Sequence, residues 1–104
     1  MDISAASFRD HILEAVSIIY DWQSLSHTVE IRVRSHDGAP SKYRVAGVTD
    51  IDIGENFAHV SEIEFCTVIS APGRIYISFD PYTEGAESKR DNYRIVGQEI
   101  SVVL

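Results

Sequence analysis

A chain of 104 residues can enclose one core and little else, so a single domain covering residues 1–104 is expected. With 44% hydrophobic, 10% aromatic and 24% charged residues it is too apolar for intrinsic disorder, and no apolar run approaches the roughly 20 residues that span a bilayer. Sixteen acidic residues against nine basic ones give a formal charge of −7, which repels phosphate backbones and favours a protein partner over nucleic acid.

The opening segment, MDISAASFRD, has no basic stretch followed by an apolar one, so no secretory signal is expected and a cytoplasmic location follows. Residues 15–35, AVSIIYDWQSLSHTVEIRVRS, then carry two conflicting periods. Phe8, Ile12, Ala15, Val16 and Ile19 would line one face of a helix over residues 5–20, which is the basis of an α+β alternative with that helix packed on a sheet. Against it, VSIIY concentrates β-branched and aromatic side chains, and a period of two sets Val16, Ile18, Tyr20 and Trp22 on one face and Ala15, Ser17, Ile19 and Asp21 on the other. The spacing predicts a strand over about residues 13–21, with any helix confined to the first ten or so residues. Asp21 and Trp22 read as a turn residue and a core aromatic, and DWQSLSH as the loop of a hairpin. TVEIRVRS completes it, setting Val29, Ile31 and Val33 against Glu30, Arg32 and Arg34.

SHDGAPS supplies a turn, and KYRVAGVTDIDI reads as one strand interrupted near Gly47. HVSEIEFCTVIS alternates Ile63, Phe65, Thr67 and Ile69 against Glu62, Glu64, Cys66 and Val68. Pro72-Gly73 fits the centre of a type II turn leading into RIYISFD, where Ile75, Ile77 and Phe79 share a face. After the polar loop PYTEGAESKRDN, YRIVGQEISVVL forms one bent strand or two short ones hinged at Gly97. Six or seven short strands with regular turns predict a mainly β domain, an antiparallel sandwich or small barrel. Its interior should hold Val29, Ile31, Val33, Ile63, Phe65, Ile75, Ile77 and Phe79.

Chemistry is sparse. The histidines, His11, His27, His36 and His59, form no metal-binding pair, since His59 and Glu62 would point to opposite faces of a strand. No G-x-S-x-G elbow is present, and Asp80, Glu84, Glu87 and Asp91 lack the spacing of a calcium loop. Cys66, the one cysteine, cannot form an intramolecular disulfide and reads as a buried apolar residue. Neither catalysis nor a cofactor is expected. The charge, however, is uneven: residues 45–73 hold no Lys or Arg but contain Asp50, Asp52, Glu55, Glu62 and Glu64. These five carboxylates are the candidate partner-binding residues, with Asp50, Asp52 and Glu55 placed around a turn. The plainer reading is a solvated outer sheet face.

Two family resemblances bear on function. Asp10-His11, Asp21-Trp22 and Gly47-Val48, in an alternating strand context, resemble small bacterial β-sandwich proteins that include some polymorphic-toxin immunity proteins. That resemblance implies a non-enzymatic binding module, an immunity protein or inhibitor whose acidic surface meets a basic toxin. AGVTDIDIGEN, with Asp52 and Asn56, and IVGQEISVV, with Gly97 and Ile100, resemble the two motifs of Sm-like barrels, which implies RNA binding. The chain departs from that pattern at Val96, where the family carries a basic residue, and in the extra hairpin over about residues 60–80. An exposed strand edge could also pair two copies into a homodimer.

Overall fold

A computed structural model describes residues 3–53 and 62–104. Among the described residues a 3-10 turn, Ala5–Ser7, precedes β1 (Ile12–Asp21), β2 (Ser26–Arg34), β3 (Pro40–Ala46), β4 (Asp50–Asp52), β5 (Thr67–Ala71), β6 (Arg74–Asp80), β7 (Asn92–Gly97) and β8 (Glu99–Val103). They form two antiparallel sheets, ordered β1-β2-β3-β8 and β4-β7-β6-β5. The expected mainly β architecture is present, with eight strands among the described residues where the sequence pattern predicts six or seven. The α+β alternative is overturned, because residues 12–20 are paired along their length with β2.

That first hairpin follows from its side chains. Val16 lies opposite Ile31 and Ile18 opposite Val29, so β-branched residues meet across the ladder on the core-facing side. A bulge between Leu13 and Ala15 accommodates Glu14, which reaches Arg34 at 3.1 Å and Arg32 at 3.6 Å. At the loop, Asp21 accepts hydrogen bonds from the Gln23 amide and the Ser24 hydroxyl, both at 3.0 Å. Leu25 completes the turn in the left-handed region, at φ 54°.

Each of the two segments read as a single interrupted or bent strand crosses from one sheet to the other, which explains the higher count. β3 leaves the first sheet at Gly47 and re-enters the second as β4, and β7 returns through Gly97 and Gln98 to the first sheet as β8. The two crossings run side by side, joined by Gln98 N to Ala46 O at 2.9 Å and Thr49 N to Val96 O at 2.8 Å. A Cβ on Gly97 would lie 2.5 Å from Val45 Cγ1 and 3.0 Å from the Ala46 carbonyl oxygen, so only glycine allows the strands to pass this closely.

The core between the sheets contains Val29, Ile31, Val33, Val45, Ile75, Ile77, Phe79 and Ile95, capped at one end by Phe8 and Ile63. Phe65 corrects the expected interior: it is 57% exposed. The alternation fails there because the chain at Ile63 pairs with the N-terminal segment, through Asp10 N to Ile63 O at 2.7 Å, and joins the ladder with β6 only from Thr67. No described helix is long and apolar enough to cross a membrane.

Candidate functional site

Folding divides the acidic block. Asp50 and Asp52 stand on β4, where Arg94 of β7 reaches them at 2.7 and 3.7 Å. Glu62 bridges to Ile12 at the opposite end of β1 and lies 3.3 Å from His36, while Glu64 is exposed beside it in sequence. Asp50 shares a hollow with Ile18, six residues further along β1 than Ile12, or roughly 20 Å at strand rise. The carboxylates therefore form two separate groups. Glu55, Asn56 and His59 lie outside the described residues.

Asp50 and Asp52 also rim a cleft of about 540 Å³ on the outer face of the second sheet, together with Arg74, Tyr76, Glu87, Lys89 and Arg94. Most of its charges are paired: Arg74 with Glu87 at 2.6 Å and Arg94 with the two aspartates. The Arg74 guanidinium holds Glu87 below the usual carboxylate range. Tyr76 donates its hydroxyl to Asp91, and burial, reinforced by that bond, pushes the phenol up to about 12. A phenol that stays protonated and committed to Asp91 is a structural donor rather than a reactive group.

The projecting end of the first hairpin is different in kind. Sequence reading placed Trp22 in the core, yet it is 71% exposed, and Leu25 is 77% exposed. Ile18, Ile19 and Tyr20 are exposed as well. The reason is tertiary: β3 pairs with β2 only as far as Val29, which lies opposite Ile18, so residues 19–28 extend past the neighbouring strand. Asp21 keeps its charge at this tip, since the Gln23 amide and then the Ser24 hydroxyl hold its carboxyl below the usual range. No Lys or Arg occurs in residues 10–31. A reader of the sequence could have noticed this cation-free apolar stretch, but its exposure depends on where β3 stops.

The basic residues gather elsewhere. Arg32, Arg34, Lys42 and Arg44 alternate outward on β2 and β3, where Glu14 takes the first two and Glu30 the last two, at 3.6 and 3.3 Å. Among the described residues, no three His, Cys, Asp or Glu side chains are grouped to hold a metal ion. Comparisons with protein-family models, curated proteins and solved structures give no match.

Cys66 is buried, and burial pushes its thiol up to about 12, which suppresses the reactive thiolate. Its backbone amide donates to Glu84 at 3.0 Å, and this bond, with Arg9 beside it, holds Glu84 below the usual carboxylate range. Native protein is expected to react with a chromogenic thiol reagent at least about a hundredfold more slowly than protein unfolded in urea. Equal rates would show that Cys66 is accessible in the native fold.

Proposed function

We propose that this chain is a non-enzymatic protein-binding module that meets a basic partner protein through its projecting hairpin and the acidic β4 beside it. It would act as an immunity protein or inhibitor does, occupying a surface of a cationic toxin. The observation that carries this reading is Leu25. A residue with a Cβ at φ 54° is disfavoured by about 1–2 kcal/mol, and glycine or asparagine would fill the turn more easily. A large apolar side chain there, mostly exposed next to an exposed tryptophan, serves contact with something outside the chain. Tryptophan flanked by aliphatic groups is the composition of an interface anchor. The charge around it, Asp21 with Asp50 and Asp52 on β4, suits a cationic partner.

The test places a photo-crosslinking amino acid at Gln23, within the loop, and identifies the partner joined to it in the source cell. Trp22→Ala should then weaken binding of that partner by about 2 kcal/mol, roughly 30-fold. Leu25→Asn should raise folding stability by about 1 kcal/mol while weakening binding, a combination that a merely structural turn does not produce. Unchanged affinity in both variants would remove the hairpin as the contact. Recovery of RNA with the native protein, displaced by moderate salt, would favour the Sm-like reading instead.

A further inference from the structure

Beneath the projecting hairpin lies a hollow of about 210 Å³, lined by Ile18, His27, Val48, Thr49, Asp50 and Ile51. It is smaller than the roughly 300–1,000 Å³ typical of small-molecule pockets. Its position follows from the crossing at Gly47, where the chain turns out of the first sheet and leaves a gap between the hairpin and β4. Two strand edges flank that gap. Among the described residues β4 pairs only with β7, and residues 26–28 of β2 have no β3 partner, their one bond across the gap being Val48 N to His27 O at 2.9 Å. Alternate amides and carbonyls on such edges point away from the existing ladder.

The walls share a second property. Ile18 and Tyr20 face the same side as buried Val29, and the Tyr20 ring sits 4.8 Å from that of His27, so the hairpin side is apolar and aromatic. On the opposite side β4 carries the half-exposed carboxylate of Asp50 at the hollow and that of Asp52 two residues further along the same strand. Both walls come from the two stretches lacking any Lys or Arg, residues 10–31 and 45–73. Arg94 of β7, on the outer face of the second sheet, engages both aspartates from the side away from the hollow's lining.

We infer that this slot takes an extended, lysine- or arginine-bearing segment of the partner protein, which adds as a strand along β4 with its apolar side chains against Ile18 and Tyr20 and its cations at Asp50 and Asp52. The inference rests on the protein-binding reading above and specifies which part of the partner is held. Strand addition draws its affinity from main-chain hydrogen bonds, while alternate side chains give the selectivity for apolar and cationic residues.

The full chain, isotope-labelled, is titrated with a capped peptide of alternating lysine and valine, with amide shifts followed by nuclear magnetic resonance. Saturable shifts centred on residues 26–28 and 50–52 are expected. A peptide N-methylated at alternate backbone positions keeps its charge but loses donors, and should bind about tenfold more weakly or worse. Asp50→Asn with Asp52→Asn should produce a similar loss, and Ile18→Ser, which leaves the ion pairs intact, supplies an independent variant. Equal binding of the methylated peptide, or shifts spread over all surface carboxylates, would reduce the effect to plain charge attraction and overturn strand addition. Partner crosslinking at Gln23 with no peptide shifts in the slot would overturn this inference while leaving the hairpin reading intact.

Discussion

Asp91→Ala is expected to destabilise the fold by about 3 kcal/mol, a lowering of the thermal midpoint of roughly 4–8 °C for each kcal/mol. Asp91 is 3% exposed and organises the loop between β6 and β7 from within. Its Oδ1 accepts the Tyr82 amide at 2.8 Å, while its Oδ2 accepts the Ser88 amide at 3.0 Å and the Tyr76 hydroxyl. Removing the carboxylate leaves three donors without their acceptor, and each such donor costs about 1–3 kcal/mol where water cannot replace it. Asp91→Asn keeps one acceptor oxygen and should fall between wild type and alanine. Tyr76→Phe removes one donor together with its demand and should cost about 1 kcal/mol. Urea unfolding of the four proteins gives the comparison. A loss below about 1 kcal/mol for Asp91→Ala would mean that the loop contributes little to the cooperative fold.

Phe8→Ala is expected to cost about 3–5 kcal/mol, the range for emptying an aromatic site in a packed core. Phe8 is fully buried, with its ring centroid 4.8 Å from that of Tyr43 and 5.2 Å from that of Phe79, the latter edge to face. It closes the end of the sandwich where the 3-10 turn meets Ile63. The backbone bonds there, Asp10 N to Ile63 O and Ile63 N to His11 O, tie the N-terminal segment to the chain before β5. The Arg9 to Glu84 contact at 3.0 Å adds the loop between β6 and β7. Phe8→Ala should therefore also expose the N-terminal segment to limited proteolysis, whereas Phe8→Leu keeps most of the volume and should lose much less. Wild-type stability and protease resistance in the alanine variant would show that the segment is not part of the core.

Much of the strand pattern was legible because it depends on one local quantity, the alternation of side chains on a pleated surface. Val29, Ile31 and Val33 on β2 and Ile75, Ile77 and Phe79 on β6 are buried as their spacing predicts, since each of those strands has a neighbour on both sides and a core beneath one face. Pro72-Gly73 was equally readable, because the turn needs a positive φ and Gly73 supplies it at 74°. The choice of strand over helix for about residues 13–21 rests on β-branched side chains, and the ladder with β2, which runs over residues 12–21, bears it out.

What alternation cannot encode is the identity of the neighbour. Phe65 has the right parity for the core but lies where the chain is still crossing toward β5, so no sheet covers it. Trp22 has core-like chemistry but sits at the tip of a hairpin that outruns β3. The sheet changes at Gly47 and Gly97 depend on how closely two distant segments pass, a contact that no local window contains. The same long-range pairing placed Asp50 and Asp52 beside Arg94 and carried Glu62 to the far end of β1, dividing carboxylates that are neighbours in sequence. Composition and period thus decide which side of each strand is apolar, while the ends of neighbouring strands decide which apolar side chains are covered and which stay exposed.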